Sequence, residues 1–162
     1  MVGNNFKIKQ AVIICILLAF PFIAFANPSF FNIHDYGAKG DGATLNTKSI
    51  QSAIDACSQS GGGTVYFPAG KYLSGTIFLK SHITLFLDAG AALTGSKDLK
   101  DYPVTVSKLI SYMDNYTDKS LIYGEGLEQI AIIGQGTIDG NGAFFTGVIK
   151  IRPFMMLSLI HI

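Results

Sequence analysis

Asp35, Asp41, Asp88, Glu125 and Asp139 are the carboxylates that fall at corners between apolar runs, where an acid or base could face a ligand. General acid–base chemistry needs two such groups in fixed geometry, and no spacing along the chain pairs any of these. Asp139 lies in Gly136-Thr137-Ile138-Asp139-Gly140-Asn141-Gly142. Asp and Asn favour such positions because they hydrogen-bond their own backbone, so turn duty is the reading. His34 and His82 flank strand candidates, and with Cys57 they offer no metal-ligand spacing. They are read as polar strand-edge positions, and no metal and no cofactor is expected. Residues 90–97 run Gly-x-x-x-x-Gly-Ser-Lys, a phosphate loop with its last two residues reversed and no helix pattern behind it. Asn115-Tyr116-Thr117 is a sequon that makes Asn115 a glycosylation acceptor in a eukaryotic secretory route.

The elements that must position these groups change character along the chain. Phe30-Phe31-Asn32-Ile33 suits a short strand, and residues 35–42 a glycine-punctuated loop. Ile50, Ala53, Ile54 and Cys57 then recur at helical spacing, which predicts a helix over 47–58 with Asn46 as N-cap and Gly61-Gly62-Gly63 as its stop. Cys57 sits on the apolar stripe and reads as a small core residue. From residue 64 the period shortens to apolar runs at 64–67, 72–73, 76–79, 83–87, 91–93, 121–123, 130–133 and 137–138, with Gly, Pro, Asn and Asp at the corners. No long crossover helix separates these runs, which disfavours a doubly wound sheet. An antiparallel sandwich and a parallel β-helix remain. No Asn-Gly or Asp-Gly pair joins matched strands, and runs such as Ile77-Phe78-Leu79 are continuously apolar, so the solenoid is preferred. Residues 97–120 break the rhythm and read as a long projecting loop.

The composition limits the partners. Twelve Lys plus Arg against eleven Asp plus Glu gives +1, far from the basic excess that nucleic acid demands. The chain is 49% hydrophobic and 14% charged, which excludes disorder. Lys7 and Lys9, the apolar stretch 11–25 and Ala24-Phe25-Ala26 form a secretory signal peptide with cleavage expected after Ala26. That stretch is shorter than the about 20 residues of a spanning helix, so no membrane association is expected after cleavage. Residues 157–162, Leu157-Ser158-Leu159-Ile160-His161-Ile162, read as a sequencing-adaptor scar, so native sequence is expected over 27–156 of a longer gene product.

Residues 31–42, the helix with Ala53-Ile54-Asp55-Ala56-Cys57, and residues 61–75 (Gly-Gly-Gly-Thr-Val-Tyr-Phe-Pro-Ala-Gly-Lys-Tyr-Leu-Ser-Gly) resemble the front of the pectin-lyase-like parallel β-helix superfamily. Residues 127–142 and Arg152-Pro153-Phe154-Met155 are similar to polygalacturonases of glycoside hydrolase family 28. The resemblance implies an all-β, right-handed parallel β-helix with an N-terminal capping α-helix. It also implies an inverting hydrolase of α-1,4-galacturonan or related pectic polysaccharide, secreted to the extracellular space or cell wall (the periplasm in a bacterium) and monomeric when full length. The family's Asn-Thr-Asp, Asp-Asp, Gly-His-Gly and Arg-Ile-Lys segments are absent, since Ile149-Lys150-Ile151-Arg152 is not Arg-Ile-Lys. No catalytic residue is therefore assigned, and residues 27–156 alone are expected to be inactive. The rivals are a polysaccharide lyase of the same fold and a non-catalytic carbohydrate-binding or tailspike-like module. Tyr102, Tyr112, Tyr116 and Tyr123 could include a sugar-stacking ring, but packing is the default for aromatics.

Overall fold

The computed structural model describes residues 29–105, 118–146 and 158–161. Strands β1 (Phe30–Asn32) and β2 (Asp41–Leu45) precede helix α1 (Thr47–Gln59). There follow β3 (Gly63–Phe67), β4 (Gly70–Ser74), β5 (Ile77–Phe78), β6 (Ile83–Leu87), β7 (Ala91–Gly95), β8 (Ser120–Tyr123), β9 (Ala131–Gly134), β10 (Thr137–Asp139), helix α2 (Gly142–Thr146) and β11 (Ser158–His161). Every strand pairing is parallel. The sheets are ordered β1-β3-β6-β9, β2-β4-β7-β10 and β5-β8-β11, so each successive coil adds one strand to each of three sides. This is a β-solenoid, and the antiparallel sandwich is excluded.

In-register stacking explains why the runs are short and greasy. Val65 lies beside Leu85 and Leu85 beside Ile132, while Tyr72 lies beside Leu93 and Leu93 beside Ile138. Val65, Leu85, Tyr72 and Leu93 are fully buried. Alternate residues point out, which gives β6 and β7 their buried and half-buried alternation. Tyr72 is accommodated because its hydroxyl reaches the Pro68 carbonyl at 3.0 Å and His34 Nε2 at 2.8 Å.

Helix α1 buries Ile50, Ala53, Ile54 and Cys57 on the stripe that the spacing predicts. Its N-terminus differs from expectation. Asn46 occupies the N-cap position but makes no side-chain cap bond. Its Oδ1 accepts the Lys39 N–H at 2.7 Å, and its Nδ2 donates to the Lys39 and Thr44 carbonyls at 2.9 and 2.8 Å. The side chain is consumed in stapling the 39–44 segment, where it partners three part-buried backbone groups. Part of the expected loop is also strand β2. Its polar sequence is exposed at four of five positions, so it carries no apolar signal.

The long interruption is an insertion between β7 and β8, and Ser120 belongs to β8 rather than to the loop. Its base is fixed to the stack. The Tyr102 hydroxyl donates to the Ser96 carbonyl at 2.7 Å, Asp101 accepts from the Ser96 hydroxyl, and Lys119 Nζ donates to the Leu99 and Tyr102 carbonyls. Across its neck the Thr105 N–H donates to the Asp118 carbonyl at 2.7 Å. Gly75 is required where the insertion returns: a Cβ there would sit 2.1 Å from the Asp101 carbonyl oxygen.

Candidate functional site

Of the carboxylates singled out by their corner positions, Asp35 lies in the 3-10 turn Ile33–Tyr36, and Asp41, Asp88, Glu125 and Asp139 are engaged locally. Asp139 Oδ1 accepts the Asn141 N–H at 2.8 Å, a turn bond. Asp41 Oδ1 accepts the Ala43 and Thr44 N–H groups, and Oδ2 accepts the Thr44 hydroxyl at 2.6 Å. The Thr44 hydroxyl, followed by the two N–H groups, holds the Asp41 carboxyl down to about 2. Asp88 Oδ2 accepts the Tyr66 hydroxyl at 2.5 Å and Oδ1 the Ala89 N–H. That phenol bond lowers Asp88 and, reciprocally, raises Tyr66. Asp55 is lowered chiefly by Lys80, whose ammonium stands 2.7 Å away. Glu125 accepts the Tyr123 hydroxyl at 2.9 Å, which raises the tyrosine.

These directions matter for chemistry. A glycosidic leaving group is protonated by a carboxylic acid whose pKa is pushed upward by burial or by a neighbouring acid. Asp41, Asp55 and Asp88 are all displaced the other way, by donors that favour the anion. They are built to stay ionised and to hold backbone, hydroxyl or ammonium groups in place.

His82 flanks β6, whereas His34 is not at a strand edge. His34 lies in a 3-10 turn, Ile33–Tyr36, and meets the buried Tyr72 hydroxyl. His82 takes a positive φ of 63° at the corner before β6, with Nδ1 2.8 Å from Gln129 Oε1. Cys57 is buried, and burial raises its thiol. Among the described residues no three His, Cys, Asp or Glu side chains gather as a metal site. Ala26, Asn115, Tyr112 and Tyr116 lie outside the described residues. Tyr102 is buried, and burial raises its phenol.

Aromatic groups occupy two outer faces. On the first sheet the Tyr66 and Phe86 rings, set side by side by the register of β3 on β6, are 5.8 Å apart, and Phe30, in register with Thr64, meets Tyr66 diagonally at 4.9 Å. On the third sheet Phe78 meets Tyr123 edge to face at 5.8 Å, and the Tyr123 hydroxyl reaches Glu125. Sequence spacing alone could not reveal either group, because both depend on which strands become neighbours. Two cavities of about 200 and 180 Å³ open at the last coil. Their linings, Leu127, Ile130, Ala131 and Ile132 in one and Leu87, Ile132, Ile133, Gly134, Gly136 and Ile138 in the other, hold no polar side chain. They are apolar gaps beside the last described strands of two sheets, lacking the convergent polar groups of a ligand pocket.

Comparison with known proteins gives this scaffold relatives. Residues 30–147 match the family model described as rhamnogalacturonase A/epimerase, pectate lyase-like. An exo-poly-alpha-D-galacturonosidase of Dickeya chrysanthemi is 45% identical over 125 residues, covering 72% of this chain and 20% of that protein. Alginate lyase 7 of Azotobacter vinelandii is 34% identical over 132 residues, covering 74% of this chain and 14% of that protein. Among solved structures, the family 28 exopolygalacturonase of Yersinia enterocolitica superposes with a TM-score of 0.64 at 45% identity, over 72% of this chain and 22% of that one. The chain thus spans about a fifth of the galacturonan-cleaving relatives it matches.

Proposed function

Because the chain belongs to the rhamnogalacturonase A/epimerase, pectate lyase-like family, we propose that it is the N-terminal part of a secreted hydrolase of α-1,4-galacturonan or a related pectic polysaccharide. The observation that carries this reading is the 45% identity to two galacturonan-cleaving enzymes through the cap and first coils. In this reading residues 1–26 are the leader removed after Ala26, residues 27–156 are the front of the glycosidase domain, and residues 157–162 are foreign to it. Asn115 is the glycan acceptor if the route of export is eukaryotic.

The hydrolysis proceeds with inversion. One carboxylic acid protonates the leaving oxygen and a carboxylate about 6.5 to 9.5 Å away activates water. A solenoid supplies such a pair by placing acids on neighbouring strands, about 4.8 Å apart, along one outer face. The family's Asn-Thr-Asp, Asp-Asp, Gly-His-Gly and Arg-Ile-Lys segments are absent from this chain, so the acid is assigned to later coils. Residues 27–156 supply the cap on which those coils stack.

A polysaccharide lyase is the second reading, favoured by the 34% identity to an alginate lyase through the same segment. The products separate the two. Polygalacturonate treated with the full-length protein should yield reducing ends of inverted anomeric configuration by proton NMR. Ultraviolet-absorbing unsaturated uronide would select the lyase and overturn the hydrolase. Reducing-sugar release by the present chain alone would overturn the assignment of the acids to later coils.

A further inference from the structure

Asn141 is the one asparagine of the chain that is followed by glycine. It lies half-buried at the corner between β10 and α2, with φ at 52°. Its side chain ties this corner to the preceding coil, where Nδ2 donates to the Gly95 carbonyl at 2.6 Å. Its own carbonyl accepts the Phe144 N–H at 2.9 Å and so starts α2. Phe145 of that helix is buried edge-on against Tyr102 at 6.3 Å, and Tyr102 fixes the base of the insertion through the Ser96 carbonyl.

The backbone does not require glycine at 142. Gly142 takes no positive φ, and a Cβ there would meet nothing within 4 Å. In a helix glycine is also a weaker former than alanine. What it does supply is a backbone nitrogen that no side chain shields. As the first residue of α2 it is exposed, and its N–H has no partner inside the helix. Asn32 and Asn46 are placed differently. They precede Ile33 and Thr47, whose branched side chains crowd the following nitrogen, and Asn46 is buried as well.

We propose that Asn141 is a site of spontaneous deamidation, and that the reaction undocks α2 from the preceding coil. The Gly142 nitrogen, having lost its proton, attacks Asn141 Cγ. A new C–N bond closes a five-membered imide, the Cγ–Nδ2 bond breaks, and the amide nitrogen takes up a proton and leaves as ammonia. Water then opens the imide at either carbonyl, which gives aspartate or isoaspartate without any change of oxidation state. Both products lack the donor that Gly95 accepts, and isoaspartate also inserts a carbon into the main chain that leads into α2.

The test incubates the full chain in mildly alkaline buffer and maps its peptides by mass spectrometry. The peptide carrying Asn141 should gain the mass of an NH2-to-OH exchange before those carrying Asn32 or Asn46. Isomerisation of Asp41 or Asp139, each also followed by glycine, leaves the mass unchanged and is not mistaken for it. Gly142→Ala should slow the gain severalfold. In the deamidated chain and in Asn141→Asp the Phe144 amide should exchange with deuterium about tenfold faster than in the parent, as loss of one hydrogen bond implies. Equal rates in the parent and Gly142→Ala, or a faster gain at Asn32 or Asn46, overturn the site. Unchanged Phe144 exchange in either the deamidated chain or Asn141→Asp overturns the undocking. If Gly142→Ala does not fold, Asn141→Gln decides, because its longer side chain must close a larger ring. A mass gain there as fast as in the parent overturns the site.

Discussion

Asn46 separates two accounts of the junction between the N-terminal segment and α1. At an ordinary N-cap, Asn46→Asp is neutral, because both residues cap equally well, and Asn46→Ala costs about 1 kcal/mol. In this structure the side chain is 1% exposed and instead makes three bonds to the 39–44 segment. Removing it leaves the Lys39 N–H and the Lys39 and Thr44 carbonyls without that partner. At about 1 kcal/mol for each part-buried group, Asn46→Ala should cost about 3 kcal/mol. Asn46→Asp keeps the bond from the Lys39 N–H, loses both donated bonds and sets a carboxylate against two carbonyls, so it should cost about 2 kcal/mol or more. Equilibrium urea unfolding followed by circular dichroism measures both. If the Asp variant lies within about 0.5 kcal/mol of the parent while the Ala variant loses about 1, Asn46 is a cap and the staple is wrong.

Ser120 carries a buried hydroxyl without a hydrogen-bond partner among the described residues, so Ser120→Ala should raise unfolding stability by about 1 kcal/mol in the same urea experiment. The Asp41 carboxyl, held at about 2 against an ordinary 3.8, should titrate near pH 2 in carboxyl carbon NMR. Because its folded value is depressed, its contribution is present above the ordinary Asp range and is lost as pH falls from there through about 2. Leu85, fully buried between Val65 and Ile132, should cost about 2 to 5 kcal/mol on truncation to Ala. Phe86, one residue on and half-buried in the outer ladder, should cost less, since a ring pair adds only about 0.5 to 1.5 kcal/mol beyond its area. Thermal melts of the two variants that reversed this order would contradict the inward and outward assignment.

The core strands were legible because a stacked coil writes its interior as short apolar runs, as in Ile83–Leu87 and Ala91–Gly95. Where a strand lies at the edge and faces water that signal vanishes, so the start of Asp41–Leu45 reads as part of the 35–42 loop. His34 was misplaced for a related reason. Its neighbour Ile33 is buried, which mimics a strand, yet Asn32 Oδ1 accepts the His34 N–H and turns the chain into a 3-10 turn. The short helix Gly142–Thr146 was also hidden, because Gly140-Asn141-Gly142 signals a turn and too few residues follow to show a helical period. No pattern of spacing could place Tyr66 on Asp88 or Phe78 on Tyr123, since each contact is a product of register.

That asymmetry explains why one segment is shared by an exo-galacturonosidase and an alginate lyase. What the segment must do is close one end of a parallel stack, and this demands specific residues: glycines at tight returns and an asparagine bridging a loop. At Gly134, with φ at 118°, a Cβ would lie 1.9 Å from the Leu87 carbonyl oxygen, so the corner tolerates no side chain whatever reaction the protein performs. Reaction type is fixed instead by which side chains the outer faces carry on adjacent strands, and those faces can vary while the inward columns keep the stack in register. The demand on the cap and inward columns is therefore one of assembly, and substrate choice is read from the outward residues of the coils stacked upon them.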